Sequence, residues 1–445
     1  MASKKGKSNL GTWEKVGLTF VDMLLPASLG KTLRIKCKMT KQAFTSNRVL
    51  RCFWILVGIA LSPVFLAFSL VAAILKTIVI WILPEEKFVQ FRYLFNQFFR
   101  DVTKEHLSIK VAIKRISLCY ELFTKGAERQ VSFGEKNPDK TFYVLRPYYY
   151  LQRNELTQNV SNLLTHYYRT LQNLAYAIEN HWIPVVDWEN YGPFPHQEDY
   201  AVHGTRNCWE YYWNQPSEYT LEEVYQSKNV ILSTQNTRDN EFVPSGFFSQ
   251  ELQQQAEDYA TRCPKYDRYI TLHPVVAQYI QEKEDQLFPK GARILGVAVR
   301  GTSYGMESTY KGKAKADGHP RQPTEDKLIR AIRDIMAEWN MEYVFITCEY
   351  APLIERIHNV LGDKVIYLPR KRYVTPPKRG DVEKKLDPLY VPGQKYQTNL
   401  DYLTEMVLLS RCNSLLAAMS SGTRAAIIWN AGKYEHMQII ENGLW

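Results

Sequence analysis

The chain has 445 residues and a formal net charge of +10, and its seven cysteines are scattered without a Cys-x-x-Cys pair. That spacing excludes a disulfide framework and the common zinc motifs, and it is typical of a protein that works in a reducing compartment. The length leaves room for two domains after an N-terminal segment, and the sequence contains no internal repeat.

The basic charge is concentrated in an N-terminal arm, residues 1–51, which holds 11 Lys and Arg against 2 Asp and Glu. The rest of the chain is therefore close to neutral. A nucleic-acid-binding protein would need a basic face on its globular part, so this distribution excludes nucleic acid as the partner. It predicts instead an association with a membrane that contains anionic lipids.

A long apolar run follows the arm. Cys52–Leu83 contains one charged residue, Lys76, and is longer than the ~20 residues that a bilayer-spanning helix needs. Residues 52–84 are therefore predicted to form a membrane segment, and Pro63 breaks or kinks it. Two forms remain open, a single tilted helix and a re-entrant helix–break–helix.

Basic residues on both sides of the apolar run favour the re-entrant form with both ends in the cytoplasm. The globular part of the chain would then face the cytosol. The alternative is a type II membrane protein with a lumenal globular part. Residues 85–139 are predicted to be a helical linker at the membrane interface.

The next region, residues 140–290, begins with a strand–helix–strand pattern. Lys140–Leu145 and Ile183–Asp187 have the composition of strands. The apolar residues from Leu163 to Ile178 recur at helical spacing, which indicates one amphipathic helix between the strands. The pattern predicts a Rossmann-like unit that presents Asp187 at a strand end.

An aromatic cluster lies downstream in the same region. Trp209, Glu210 and Tyr212 belong to the run Cys208–Pro216, and with Asp187 they are candidates for contact with a sugar, because aromatic rings can stack on sugar faces. The same aromatic residues are also typical of a packed core. Both interpretations remain open for the sequence.

The last region, residues 291–445, alternates strand and helix throughout and predicts a doubly wound α/β sheet. The domain boundary is expected near Phe288–Gly291. The predicted strands are 294–299, 343–346, 365–368 and 414–419. The predicted helices begin at Pro323, a residue favoured at the first helical position, and at Pro352, Leu400 and the turn Ser420–Gly422.

Two groups of phosphate-binding residue types follow strands of this sheet. Arg300 and Thr302 come after the first strand, and the last strand is followed by Ser420, Ser421, Gly422, Thr423 and Arg424. Guanidinium groups bind phosphate with two parallel hydrogen bonds, and a helix N-terminus is an anion site. Because both groups lie at the carboxyl ends of parallel strands, they predict one diphosphate site. A helix cap beside an ion-paired arginine is the simpler alternative.

Several short motifs resemble the fucosyltransferase superfamily, which includes the α-1,6- and O-fucosyltransferases, and in particular a bacterial surface-polysaccharide branch. They are 297–303 (VAVRGTS), 318–323 (GHPRQP), 345–349 (FITCE), 400–404 (LDYLT) and 420–423 (SSGT). Two upstream segments, 185–190 and 207–216, also resemble that branch. The chain differs from it at Ser303 and at Glu349-Tyr350.

The resemblance implies a GT-B enzyme, with two Rossmann-like domains that face a cleft and an inverting, metal-independent mechanism. It implies that Arg300 and the Ser420–Thr423 turn bind the donor diphosphate and that Glu349 lies near the donor nucleoside. GDP-fucose is the donor that it favours, and a glycan or lipid-linked glycan of polysaccharide biosynthesis is the acceptor.

Inverting transfer needs a general base and a group that stabilises charge on the leaving diphosphate. Arg300 is the candidate for the second role, and Glu307, Asp317 and His319 are candidates for the first. Two alternatives to this function stay open, namely the same fold with another nucleotide sugar and a non-catalytic sugar-binding scaffold of a polysaccharide assembly.

Overall fold

The structure is a computed structural model that describes residues 126–147, 150–152, 155–157, 162–192, 196–235, 238, 240–300, 319–374 and 393–444. The predicted basic arm, the membrane segment and most of the helical linker lie outside these ranges, as do Thr302, Glu307 and Asp317. No helix in the described ranges is long and apolar enough to cross a membrane.

The first half forms a four-stranded mixed sheet. It contains β1 (Arg129–Val131), β2 (Phe142–Leu145), β5 (Ile183–Val186) and β6 (Val230–Leu232), in the spatial order β1-β6-β2-β5. Only β1 is antiparallel to its neighbour. A separate strand pair, β3 (Tyr150–Gln152) and β4 (Glu155–Thr157), follows β2.

The helices of this half are of unequal length. They are α1 (Leu163–Glu179), α2 (Leu221–Val224), α3 (Leu252–Arg262), α4 (Pro264–Asp267) and α5 (Pro274–Leu287). Helix α1 connects β3 and β4 to β5 and is buried along most of its surface. The predicted β-α-β unit is confirmed, because α1 packs on both β2 and β5.

The second half forms a five-stranded parallel sheet. Its strands are β7 (Ile294–Ala298), β8 (Tyr343–Thr347), β9 (Val365–Ile366), β10 (Ser414–Ala417) and β11 (His436–Ile439). Its helices are α6 (Glu325–Glu338), α7 (Ala351–Leu361), α8 (Lys395–Ser410) and α9 (Ser421–Asn430). The α/β class and the parallel sheet predicted for this half are confirmed.

The strand order β11-β10-β7-β8-β9 fixes where a ligand can bind. The chain runs from β7 through β8 to β9, and then returns to the other side of β7 to add β10 and β11. The direction of winding therefore changes between β7 and β10. In open α/β sheets, the crevice at the carboxyl ends of such strands is the usual ligand site.

Alternating side chains place the core on both faces of this sheet. Leu295 and Val297 pack with α6 and α7, while Ile294 and Ala298 face the cluster that includes α8 and α9. That second cluster continues into α1 and the inner face of the first sheet, where Tyr143 and other residues pack against α1. One continuous core therefore connects the two halves.

Two glycines have different structural roles in the second half. A Cβ on Gly296 would lie 2.7 Å from Leu409 Cδ1, so β7 can approach α8 only without a side chain there. Gly362 ends α7 with a φ of 60°, a left-handed conformation that glycine adopts readily. The predicted role of Gly362 as a helix terminator is confirmed.

Two helix starts differ from the prediction. Thr324 caps α6 by accepting a hydrogen bond from the Lys327 backbone N–H, so Pro323 precedes the helix instead of beginning it. Helix α8 begins at Lys395, five residues before the predicted Leu400.

Candidate functional site

A cavity opens at the carboxyl edge of the second sheet, where the winding reverses. Its lining comes from the ends of β7, β8 and β10, from α8 and from the cap of α1. The lining residues are Asn162, Ala298, Val299, Arg300, Thr347, Cys348, Glu349, Arg370, Tyr402, Glu405, Met406, Ser420 and Thr423. The described part of the cavity has a volume of about 40 Å³. One water needs about 10–15 Å³ on this measure, so the space suits a group of phosphate size.

Arg300 reaches the cavity because it directly follows the end of β7. Its backbone N–H donates to Gln322 Oε1 at 2.9 Å, which fixes the first turn after the strand. Gln322 is itself buried. The predicted convergence of Arg300 with Ser420 and Thr423 is present, since all three line this cavity.

The Ser420–Thr423 turn is both a helix cap and part of the cavity wall. Ser420 Oγ accepts a hydrogen bond from the Thr423 backbone N–H at 3.1 Å, and Thr423 Oγ1 donates to Ala418 O at 2.8 Å. The simpler interpretation of this motif as a cap is therefore correct. It does not compete with anion binding, because the earliest N–H groups of a helix have no intrahelical partner.

A second helix N-terminus meets the first at the same place. Asn162 caps α1 through its side chain and lines the cavity. One turn into α1, Thr165 Oγ1 lies 2.8 Å from Ser421 Oγ at the start of α9. The positive ends of two helix dipoles therefore point to one small space, which favours an anion there.

A buried ion cluster supplies further positive charge. The Glu405 side chain is fully buried and forms ion pairs with Arg370, at 2.7 Å, and with Arg372. Burial alone would lower the pKa of Arg370, but the charge and hydrogen bond of Glu405, with the charges of Glu349 and Asp401, together outweigh it, and the pKa lies above its ordinary value. Burial keeps the pKa of Arg372 below its ordinary value. Two guanidinium groups share one carboxylate, so the cluster carries a net positive charge.

The sequence interpretation missed Arg370, Glu405 and Asn162. Arg370 could have been found, because it follows the third predicted strand just as Arg300 follows the first. Glu405 and Asn162 give no such local signal.

Several predicted donor residues lie outside the cavity lining. Ser421 bonds to Thr165, and Gly422 lies under α8. The Arg424 side chain is buried in an aromatic cage, 4.1 Å from the centroid of the Tyr168 ring, and donates to Gly246 O at 3.0 Å. The expectation that Arg424 shares a diphosphate with Arg300 therefore has no support in the described geometry. Glu349 does line the cavity.

The candidates for acceptor contact in the first half are buried. Trp209 and Tyr212 have no exposed surface, and Trp209 packs on Trp188 and Trp213. These rings are part of the core, so the prediction that they stack on a sugar is wrong for this structure. The interpretation as packed core, which the sequence left open, describes them correctly.

Asp187 and Glu210 also serve the local structure. Asp187 is fully buried and accepts hydrogen bonds from the backbone of Glu189 and Asn190 and from the hydroxyl of Tyr225. Glu210 Oε1 accepts from Gln215 Nε2 at 2.6 Å. Neither carboxylate is directed to an open site in the described residues.

His319 is the one general-base candidate that the structure describes. Its ring centroid lies 6.0 Å from that of Phe248, and the next residue, Pro320, pairs with Leu444, which follows β11. Among the described ranges, no group of three His, Cys, Asp or Glu residues is placed to bind a metal ion.

A larger cavity of about 570 Å³ lies at the opposite end of the second sheet. Trp429, Asn430 and Asn413 are among its lining residues. Trp213, from the aromatic run that the sequence singled out, also lines it, whereas none of the predicted donor-binding residues in the described ranges does.

Comparison with known proteins gave matches among solved structures alone. No protein-family model matches the chain, and no curated protein matches it. A structure of the NodZ α-1,6-fucosyltransferase soaked with GDP-fucose is 14% identical, with a TM-score of 0.34, and the match covers 64% of this chain and 91% of that chain.

Two further structures are similar at the same level. Fucosyltransferase NodZ from Bradyrhizobium is 14% identical with a TM-score of 0.33, over 64% of this chain and 92% of that chain. POFUT1 in complex with GDP-fucose is 11% identical with a TM-score of 0.29, over 68% and 73%. At such low scores and identities, these likenesses do not establish a shared fold or activity.

Proposed function

We propose that the cavity between β7 and β10 binds the diphosphate of a nucleotide sugar and that the protein is a glycosyltransferase. The observation that carries the proposal is the junction of two helix N-termini with Arg300 and Arg370 around one phosphate-sized space. Helix dipoles and arginines both stabilise negative charge, and a leaving nucleoside diphosphate gains negative charge as the sugar is transferred.

The proposal assigns a role to each part of the site. Arg300 and Arg370 bind the phosphate oxygens, and the α9 N-terminus completes the anion site. Glu349 accepts hydrogen bonds from the donor nucleoside on the β8 side. The general base remains one of Glu307, Asp317 and His319.

The sequence motifs supply the finer part of the proposal. Their resemblance to fucosyltransferases favours GDP-fucose as the donor, with inversion and without a metal ion. Residues 291–445 then form the donor domain and residues 140–290 the acceptor domain. The acceptor is a surface-polysaccharide or lipid-linked glycan.

The charge pattern supports a further part of the proposal, attachment to the membrane. Residues 1–51 carry most of the net positive charge and precede the apolar run Cys52–Leu83. We propose that this region binds anionic lipids with the catalytic part on the cytoplasmic side. Co-sedimentation with vesicles that contain phosphatidylserine, and not with neutral vesicles, tests the lipid preference.

Nucleotide binding is tested by thermal shift with GDP, UDP, dTDP and CMP. Stabilisation by GDP alone supports the fucosyl-type donor, and stabilisation by UDP supports another nucleotide sugar. The variant Arg300→Ala should bind GDP about 10- to 100-fold more weakly, because a hydrogen bond to a charged group contributes about 1.5–3 kcal/mol. Arg411→Ala is the matched control, since Arg411 is exposed at the other end of the sheet.

Turnover separates an enzyme from a scaffold. Purified protein should release GDP from GDP-fucose, and Arg300→Ala should lose that activity. Binding of GDP without turnover under any acceptor condition would favour a non-catalytic sugar-binding subunit. Failure of all four nucleotides to stabilise the protein would overturn the proposal.

A further inference from the structure

The segment Pro244–Ser249, here called the strap, is held by an unusual set of side-chain contacts. Four successive backbone carbonyl groups each accept a hydrogen bond from a side chain on a helix. The donors are Tyr168 Oη to Pro244 O at 2.7 Å, Tyr259 Oη to Ser245 O at 2.8 Å, Arg424 Nη1 to Gly246 O at 3.0 Å and Gln255 Nε2 to Phe247 O at 2.7 Å. Helices α1, α3 and α9 therefore fix the path of the strap.

The strap lies at the same edge of the second sheet as the diphosphate site. It leads into α3, where Gln253 Oε1 accepts from the Ile439 N–H at the carboxyl end of β11. Arg424, which binds the strap, is one turn from Ser420. Phe248 in the strap packs near His319, the first described residue after Arg300.

This fixed strap exposes one large aromatic side chain. Phe247 is 61% exposed, more than any other aromatic residue in the described ranges. The guanidinium carbon of Arg169 lies 5.4 Å from the centroid of the Phe247 ring, so Arg169 packs against that ring. Gly246, which precedes Phe247, must be small, because a Cβ on it would lie 2.6 Å from Arg169 Nη1.

An exposed phenyl ring on a fixed backbone is suited to bind a ligand. Burying such a ring removes apolar surface from water, and little conformational freedom is lost when the backbone is already held. The C–H face of a pyranose ring is flat and apolar, whereas its hydroxyls point outward. A phenyl ring can therefore cover that face while the hydroxyls stay hydrated or bind polar groups.

We propose that Phe247 is the stacking platform for an acceptor sugar, an inference that rests on the proposed glycosyltransferase function. The strap borders the β10–β11 side of the diphosphate site, and Glu349 lies on the β8 side. A donor whose nucleoside extends toward Glu349 leaves the strap side to the transferred sugar and its acceptor. This location replaces the buried Trp209 and Tyr212 as the aromatic contact for the acceptor.

Ligand-observed saturation-transfer NMR tests the platform with the methyl glycosides of glucose, galactose and N-acetylglucosamine as probes. At least one probe should bind the wild-type protein, with transfer strongest to protons on one face of the ring. Phe247→Ala should bind that probe about tenfold more weakly, as expected for the loss of one aromatic contact. Phe247→Tyr should retain binding, because the flat ring is kept.

Phe133→Ala is the matched control, since Phe133 is also an exposed phenylalanine but belongs to the turn after β1. It should leave sugar binding unchanged. The inference is overturned if no probe binds the wild type, if Phe247→Ala binds as well as the wild type, or if Phe133→Ala causes the same loss.

A separate measurement distinguishes this inference from the proposed function. Phe247→Ala should show the same thermal shift with GDP as the wild type, because the strap does not line the diphosphate cavity. A reduced GDP shift in this variant would mean that Phe247 contacts the donor, and would overturn its role on the acceptor side. If none of GDP, UDP, dTDP and CMP stabilises even the wild type, the proposed function fails while the sugar-binding result still decides the role of Phe247.

Discussion

The carboxyl edges of the two sheets carry similar polar residue types. At the first edge these residues are buried among their hydrogen-bond partners, whereas at the second they line a cavity. At the first sheet, Arg146 follows β2 and Asp187 follows β5, just as Arg300 follows β7 at the second. Arg146 is buried and donates from Nε to Ser233 O at 2.8 Å and from Nη2 to Ala127 O at 3.1 Å. Asp187 is enclosed by backbone N–H groups and the Tyr225 hydroxyl.

The second sheet arranges its polar groups around a space. Arg300, Arg370, Ser420 and the cap of α1 all line one cavity, and the Glu405 carboxylate is shared between two arginines. A polar residue at a strand end is therefore not by itself a sign of a site. What distinguishes the two edges is that these groups at the second edge line a cavity, whereas Arg146 and Asp187 at the first are enclosed by their hydrogen-bond partners. The following substitutions measure this difference.

The largest effect is expected for Glu405→Ala. Removing this buried carboxylate leaves Arg370 and Arg372 without their shared counter-charge, which should destabilise the protein by about 3–5 kcal/mol in urea unfolding. Glu435→Ala is the control, because its ion pair with Arg293 is partly exposed and should contribute about 0–1 kcal/mol. Similar losses in the two variants would contradict the assigned role of the cluster. If Glu405→Ala does not fold, Glu405→Gln should show an intermediate loss.

Asp187→Ala should destabilise the protein by about 2–4 kcal/mol, since it leaves buried donors without an acceptor. Because Asp187 lies at the first edge and does not line the diphosphate cavity, the same variant should keep the full thermal shift with GDP. Arg300→Ala should show the reverse pattern, with little change in stability and a lost GDP shift. If Asp187→Ala weakened GDP binding as much as Arg300→Ala, the two edges would belong to one site.

Local sequence patterns correctly predicted the strands and the helix cap that form the second edge. Unbroken apolar runs gave β7, β8 and β10, and the motif around Ser420 gave the α9 cap. These features depend on residues close in sequence, so one chain suffices to find them. The same rule placed Arg300 correctly at the end of β7.

The sequence could not show which polar groups the fold satisfies. Arg146 bonds to Ser233, 87 residues away, and Arg370, which follows β9, pairs with Glu405 on α8. Trp209 and Tyr212 have the composition of a sugar platform, but α1 and neighbouring aromatic residues cover them. Phe247 has no distinctive sequence context. Only the hydrogen bonds that hold the strap in the folded protein explain why its ring is exposed on a fixed backbone.

A third prediction concerns a chain of hydrogen bonds that joins α1, α4 and the C-terminal end of α9. There Trp429 Nε1 donates to Tyr167 Oη at 2.8 Å, and the Tyr167 hydroxyl donates to Asp267. Burial raises the pKa of Asp267 to about 7 from its ordinary value of 3.8, while the Tyr167 hydrogen bond opposes the rise.

The raised pKa makes the folded form bind this proton more tightly than the unfolded form. The contribution of Asp267 to stability should therefore fall as pH rises from about 4 to about 7, and stay low above that. Asp267→Asn should remove this decline, with a gain over wild type on the order of 3 kcal/mol at pH 7.5 relative to pH 4.5. Urea unfolding at both pH values measures it, and parallel curves for the two proteins would contradict the shift. GDP binding should not change, because Tyr167, Asp267 and Trp429 do not line the cavity.

The smallest change in stability is expected for Gly422→Ala, at the cavity end of α9. A Cβ there would lie 2.6 Å from both Met406 Sδ and Tyr402 Oη, which are flexible side-chain ends that can move. The helix propensity gained by alanine, about 1 kcal/mol, should largely offset the crowding. Binding should suffer more than stability, because Tyr402 and Met406 both line the cavity and would be displaced into it.

A double variant makes this last prediction specific. Met406→Ala creates room beside residue 422, so Gly422→Ala combined with Met406→Ala should recover part of the GDP shift lost in Gly422→Ala. Such non-additivity is expected for residues in contact. Additive losses in the double variant would show that the methyl group acts on the α9 N-terminus itself, and would place the anion site closer to the Gly422 backbone than to the α8 side of the cavity.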